Sequence, residues 1–318
     1  MSKVGFIFPG QASQYPGMGR ELHDEFPVAR ETFEEADQAL GFSLSQLCFN
    51  GPLEDLKQTE NTQPAILAVS VAAYRVVNSK GFRPDYVAGH SLGEYSALVA
   101  AGSLNFQDAV CAVRNRGKYM QEAVPSGKGA MAAVLGLDQS RVEALCREAG
   151  AGEVLSVANL NSQEQVVIAG SASAVTRAIE RARTRGAKRA ILLPVSAPFH
   201  CALMQSAKER LERDLSAVAL SPGQIPVVSN VDASAISSVD QIRDSLVRQV
   251  CSPVRWTESV QFLIHHDVRL FVELGPGRVL SGLVRQIDRA VRTTNVEDHK
   301  SLENALDLMN GSHDFTKG

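Results

Sequence analysis

The sequence predicts an α/β fold in which a small β-α-β-β-α-β unit is set into a larger domain. Three observations carry that prediction. Apolar runs at 4–8, 86–88 and 270–274 end at glycine or proline, as short buried strands do. Stretches of helical period lie between them, some apolar nearly all round and therefore buried. Residues 130–193 then alternate strand and helix in an order that needs a sheet of its own. With 318 residues, 44% of them hydrophobic, the chain can bury a sizeable core as one large domain or two.

In chain order, the strand at 4–8 stops at Pro9-Gly10. It gives way to Gln11-Ala12-Ser13-Gln14-Tyr15-Pro16-Gly17-Met18-Gly19, a loop of glycine and small polar groups at a strand end, where α/β sheets hold ligands. Helical period follows over 21–40, with Gly41 as its stop. A second helix opens with Thr62 as cap and Pro64 in its first turn, and Lys80-Gly81 closes it. The strand at 86–88 leads through Gly89-His90-Ser91-Leu92-Gly93 into an Ala- and Leu-rich helix over 94–101, and another helix spans 106–124.

The composition changes near Pro125-Ser126-Gly127. Strands at 130–135, 154–158, 165–169 and 188–193 and helices at 138–149 and 173–185 follow the ferredoxin-like order, in a subdomain spanning 128–194. The second of these helices carries Arg177, Arg181, Arg183 and Arg185, with Lys188 and Arg189 after it. Such a face is ordinarily solvated, and it could also dock an acidic protein. A constrained Ser/Pro loop at 194–201 precedes a helix at 202–215, a strand at 225–229, a helix at 242–250 and the strand at 270–274. That last strand ends in Gly275-Pro276-Gly277, which matches neither phosphate-loop nor dinucleotide fingerprint and reads as a tight turn near the site. The larger domain thus comprises 1–127 and 195–310, with its last helical turn at Met309 and a frayed tail over 311–318.

A net charge of −3 offers no overall positive field for nucleic acid. No stretch has the length and apolarity of a membrane span or a signal sequence, so a cytoplasmic protein is expected. Five scattered cysteines, Cys48, Cys111, Cys146, Cys201 and Cys251, form no C-x-x-C pair and indicate neither a disulfide framework nor a zinc site.

The chemistry centres on Gly89-His90-Ser91-Leu92-Gly93. In Gly-x-Ser-x-Gly between strand and helix, the glycines let the backbone crowd against a strained serine whose hydroxyl stands exposed as a nucleophile. The helix behind it aims free N–H groups at any oxyanion formed there, that of Leu92 being the nearest donor. The loop after the first strand is a plausible second wall. A serine needs a base, and His200 has the most functional setting of the seven histidines. His23 lies in the first helix, His90 would point elsewhere on the sharp turn, His265 and His266 sit in a helical stretch, and His299 and His313 belong to the tail. Arg116, just before Gly117, could hold a carboxylate in a bidentate fork, although Arg114, Arg116 and Lys118 also read as a solvated basic face.

With these residues laid out, the chain resembles the malonyl-CoA:acyl carrier protein transacylases, the acyltransferases of type II fatty acid synthesis, and the related domains of polyketide synthases. The resemblance covers nearly the whole length. It is carried by Phe8-Pro9-Gly10-Gln11-Ala12-Ser13-Gln14, Gly89-His90-Ser91-Leu92-Gly93-Glu94, Arg116-Gly117, Asn159-Leu160-Asn161, Ser196-Ala197-Pro198-Phe199-His200, Gln249 ahead of Pro253-Val254-Arg255-Trp256, and Glu273-Leu274-Gly275-Pro276-Gly277. It implies an α/β-hydrolase-like domain with an inserted ferredoxin-like subdomain and the active site in the cleft between them. It implies Ser91 as nucleophile, His200 as base, an oxyanion hole from the N–H groups of Gln11 and Leu92, and Arg116 on the malonyl carboxylate. The main-chain carbonyl of Gln249 would orient the histidine, and Asn159, Asn161 and Gln165 would lie near the substrate. Malonyl-CoA and holo acyl carrier protein are the implied partners of a monomer that uses no cofactor beyond the coenzyme A thioester.

Two details qualify the match. Ala12 stands where the family more often has glycine, which would strain the backbone if the position needs positive φ. Phe199 before His200 resembles the malonyl-type pattern of the polyketide relatives, though Ala197-Pro198 does not. A serine hydrolase using Ser91, Asp267 or Glu273, and His299 is the competing enzyme. A scaffold that binds carrier protein through 177–189 is the non-catalytic alternative.

Overall fold

A computed structural model describes residues 2–314 of the chain. Among the described residues, ten strands form two sheets: β1 (Lys3–Phe8), β2 (Tyr86–Gly89), β3 (Gly129–Leu135), β4 (Leu155–Ser162), β5 (Gln165–Ser171), β6 (Arg189–Leu192), β7 (Val227–Val228), β8 (Ala235–Ile236), β9 (Val268–Leu274) and β10 (Arg292–Val296). The larger sheet has the order β10-β9-β1-β2-β7-β8. It is parallel except for the β7–β8 pair. Because side chains alternate across a strand, Phe6 and Phe8 of β1 enter the core on one face while Ile7 enters the core on the other. Helices cover both faces, which is why the strands read as unbroken apolar runs. The helix Thr59–Ser79 packs on one face; Trp256–His265 and Val279–Ile287 pack on the other.

The smaller sheet is antiparallel, β4-β5-β3-β6. The helices Gln139–Gly150 and Ala172–Thr184 close a separate core with it. This is the ferredoxin-like layout. The subdomain is tied to the large one through the segment before Trp256: Leu160 N–H donates to the Val254 carbonyl at 2.8 Å, and Val254 N–H donates to the Ala158 carbonyl at 2.9 Å. β4 therefore runs along the rim of the site.

Several element boundaries differ from the sequence expectation. The helix expected over 21–40 is two helices, Arg20–Glu25 and Pro27–Leu40. Phe26 between them is extended (φ −115°, ψ 116°), as a residue before proline prefers. The helix expected to start at Thr62 starts at Thr59, because the Thr62 hydroxyl donates back to the Leu56 carbonyl rather than capping the helix. The extra turn packs tightly on Gly117, whose added Cβ would lie 2.5 Å from the Thr59 carbonyl oxygen. β4 runs on to Ser162, so Asn159 and Asn161 lie on a strand. The strand expected at 225–229 pairs only at Val227–Val228. The helix expected from 202 opens with a 3-10 turn, Ala202–Met204, and continues as Gln205–Ala217. The last helix, His299–Asp314, passes the expected stop at Met309, so 311–314 are helical rather than frayed. The remainder of the expected tail, 315–318, lies outside the described residues.

Candidate active site

The site forms where β1, β2 and β7 end, at the carboxyl edge of the parallel sheet. After β2 the chain turns at Ser91, which takes φ 52°, and enters the helix Gly93–Ala100. Only glycine fits on either side: a Cβ on Gly89 would fall 1.9 Å from the Gly93 carbonyl, and one on Gly93 would fall 2.1 Å from the Phe8 oxygen. The end of β1 thus lies directly on the elbow. Asn230, just past β7, holds the turn by accepting from Ser91 N–H at 2.7 Å and donating to the Gly89 carbonyl at 2.6 Å.

Ser91 Oγ lies 2.7 Å from Nε2 of His200, and Nδ1 of His200 lies 2.9 Å from the Gln249 main-chain oxygen. A carbonyl can only accept, so Nδ1 carries the proton and Nε2 presents a lone pair to the serine hydroxyl. A main-chain oxygen thereby does what the acid of a Ser-His-Asp triad does for the imidazole's orientation. Burial first, and then the nearby charge of Arg116, lower the His200 pKa to about 3. That shift favours the neutral imidazole.

Arg116 comes from the helix Phe106–Glu122 and is 1% exposed. Its Nη1 donates to Gln63 Oε1 at 2.8 Å, and its Nη2 donates to Gln249 Oε1 at 2.8 Å and Ser91 Oγ at 3.1 Å. Its Nε–H is buried without a protein acceptor among the described residues, a deficit of about 1–3 kcal/mol unless a ligand or water supplies one. Gln63 continues the chain of contacts to the Gln11 side chain at 3.3 Å. The neighbouring Arg114 lies over the Phe42 ring, 4.4 Å from its centroid, and bonds Asn61. Of the two arginines, Arg116 is the one that faces the serine.

The main-chain N–H groups of Gln11 and Leu92 donate to no protein acceptor among the described residues. Gly10 lies so close to the elbow that a Cβ there would sit 2.6 Å from the His90 oxygen. Ala12 takes φ 80°, the left-handed conformation that costs a non-glycine residue about 1–2 kcal/mol. The strain is held by Ala12 N–H on Gln14 Oε1 at 2.8 Å and Ser13 Oγ on the Gly10 carbonyl at 2.8 Å. The Gly275-Pro276-Gly277 turn backs this loop: Gly275, at φ 135°, leaves no room for a Cβ beside Pro9 and Ser70.

Of the other expected residues, Asn161 is buried and its Oδ1 lies 2.8 Å from Nε2 of His90, which faces Trp256 and not the serine. Asn159 is buried on β4, bridged to Val254. Gln165 opens β5, paired with Leu135 and Ser162, and no hydrogen bond joins it to Ser91 or His200 among the described residues. The hydrolase trio is not assembled. His299 pairs with Glu25 and Glu303 at the surface, Glu273 accepts from the N–H groups of Leu280 and Ser281, and Asp267 lies at the opposite end of the sheet beside Lys3. Of the basic face at 177–189, three cations pair within the subdomain: Arg177 with Glu153, Arg185 with Glu148 and Lys188 with Glu164.

Sequence reading missed Gln63, Asn230 and a role for Glu94. Glu94 is fully buried, and its carboxylate accepts from Asn230 N–H and Gln249 Nε2, both at 2.9 Å, and from Ser245 Oγ at 3.0 Å. The available signal was a charged residue opening an otherwise apolar helix, since such residues are almost never fully buried without partners.

The acyl transferase domain family matches residues 5–309. The chain is 47% identical over 315 residues to a malonyl CoA-acyl carrier protein transacylase of Bacillus subtilis, covering 99% of each. Among solved structures, the transacylase of that name from Coxiella burnetii superposes with a TM-score of 0.95 at 43% identity, over 96% of this chain and 97% of that one. A type II PKS acyl-carrier protein in complex with its malonyl-transacylase gives 0.94 at 48% identity, over 96% and 99%.

Proposed function

The chain belongs to the acyl transferase domain family as a malonyl-CoA:acyl carrier protein transacylase, and from that membership we propose how its residues perform the transfer. The enzyme moves malonyl from coenzyme A to the phosphopantetheine thiol of acyl carrier protein, for fatty acid or polyketide synthesis. Ser91 Oγ attacks the thioester carbonyl while its proton passes to Nε2 of His200. The oxyanion lies between the N–H groups of Gln11 and Leu92. Collapse expels coenzyme A, whose sulfur takes the proton from His200, and leaves a malonyl-serine ester. The carrier thiol then gives its proton to Nε2 and attacks the ester, and the departing Ser91 oxygen takes that proton back, restoring the free serine and the neutral imidazole. Arg116 pairs with the free carboxylate of the acyl group.

The observation that carries this reading is the buried guanidinium 3.1 Å from the serine oxygen. A hydrolase of neutral esters has no use for a desolvated cation there. A malonyl group brings it a carboxylate in direct contact and an acetyl group does not. The thioester is already activated, so the route draws on no further cofactor. The nucleophile, base, carboxylate-binding residue and oxyanion donors all come from one chain, which supports a monomer as the working unit, and we place it in the cytoplasm with its carrier. Among the described residues no helix is long and apolar enough to cross a membrane.

Intact-protein mass spectrometry tests the reading. Wild type mixed with malonyl-CoA should gain one malonyl group, Ser91→Ala none, and holo acyl carrier protein should discharge the adduct. An adduct lost to water before carrier is added, or one formed equally on Ser91→Ala, refutes it.

A further inference from the structure

The buried carboxylate of Glu94 has no part in the route above, yet it lies one side-chain amide from Arg116. Gln249 bridges the two: its Oε1 accepts from Arg116 Nη2 at 2.8 Å, and its Nε2 donates to Glu94 Oε2 at 2.9 Å. The amide cannot be turned round. Nε2 also meets the Ser91 main-chain oxygen at 3.1 Å, an acceptor only, while the guanidinium is a donor only. Glu94 is 0% exposed and Arg116 1%. They form an amide-spaced pair of opposite charges in a region of low dielectric. Asn230 N–H and Gln249 Nε2 converge on the one Glu94 oxygen, and Ser245 Oγ meets the other, donors arranged for a carboxylate. Burial, the largest influence, leaves the Glu94 pKa raised, and these donors and the Arg116 charge oppose it in part.

Resting on the transacylase reading, we propose that Glu94 is a specificity-determining residue: it is the counter-charge of Arg116, and by repelling the substrate carboxylate it limits how strongly the site holds a malonyl group. A second anion brought to Arg116 makes the buried charge net negative. An uncharged acyl group leaves the Arg116–Glu94 pair as it was. The carboxylate therefore moderates malonyl binding without touching acetyl. Two unit charges about 10 Å apart at an effective dielectric of about 20 alter binding on the order of tenfold.

The test is Glu94→Gln. Its oxygen can still accept from Asn230 and Gln249, and its new N–H groups can donate to the Ser245 hydroxyl, which bonds Ser229 at 2.7 Å, so the fold keeps its hydrogen bonds. The readout is kcat/KM for serine acylation by malonyl-CoA and by acetyl-CoA, with a thermal melt to confirm folding. The malonyl-to-acetyl ratio should rise about tenfold, chiefly through a lower KM for malonyl-CoA. In an Arg116→Met background the repulsion between Glu94 and the malonyl carboxylate persists, so the same substitution should again raise the ratio. Damage to the fold lowers both substrates together and cannot raise the ratio. A ratio that stays the same or falls in Glu94→Gln overturns the proposal. Wild type that fails to prefer malonyl at all would refute the transacylase reading, independently of Glu94.

Discussion

Replacing Arg116 by Met removes the buried cation and keeps most of its stem volume, and the structure fixes two consequences. The first is selectivity. The guanidinium is fully desolvated and sits at the nucleophile, so its pairing with a carboxylate is charge-assisted, about 1.5–3 kcal/mol per hydrogen bond. Losing about 3 kcal/mol lowers kcat/KM for malonyl-CoA about 100-fold. Gln63 and Gln249 lose a donor whichever acyl group is present, so some loss is common to both substrates and the ratio isolates the carboxylate. The second is pH. After burial, the Arg116 charge is the next cause of the low His200 pKa, so the variant's imidazole should titrate higher. With His200 as the neutral base of the proposed route, activity should fall as pH drops through its pKa. The acid limb of kcat/KM, far below pH 6.5 in wild type, should therefore move up in the variant. Both are read from stopped-flow acylation with malonyl-CoA and acetyl-CoA across pH. Equal losses for the two substrates with an unmoved acid limb would refute the assignment of Arg116.

Gly89→Ala should abolish the malonyl adduct and lower the melting temperature, since its Cβ would lie 1.9 Å from the Gly93 carbonyl and the elbow must open to admit it; overpacking of this kind costs about 1–3 kcal/mol or more. A variant with wild-type adduct formation would show that the turn is not needed. The low His200 pKa also ties folding to pH: between about 3 and 6.5 the unfolded chain binds the proton that the folded imidazole refuses, so stability is lost as pH falls through that window. His200→Ala should melt with a shallower dependence on pH below 6.5 than wild type, measured by calorimetry, and an unchanged slope would contradict the burial of a neutral imidazole.

The nucleophile elbow was legible because its requirements are local. Glycine at 89 and 93, an apolar strand before and a small-residue helix after suffice to name Ser91, and the strain at Ala12 was expected from one residue change and is seen as φ 80°. The same holds for the order of elements in the small subdomain. Boundaries slipped where a single side chain redirected the backbone, as at Phe26 before Pro27 and at Thr62, whose hydroxyl turns back to Leu56.

What the sequence by itself determined was the periodicity, the turn chemistry and the list of reactive side chains, each set by neighbours within a few residues. What only the tertiary structure decided was which of them meet. Arg114 and Arg116 are equivalent in composition, but residues two apart on a helix point to opposite sides, and packing sent one to Phe42 and the other to Ser91. The amide of Gln63 and the carboxylate of Glu94 lie in apolar helices that reveal burial and nothing about partners. Their roles come from hydrogen bonds spanning 52 to 155 residues of chain, as between Gln63 and Gln11 or Gln249 and Glu94. Such contacts exist only once the sheet has brought its strand ends to one edge, because a buried polar group is satisfied by whatever the fold places beside it.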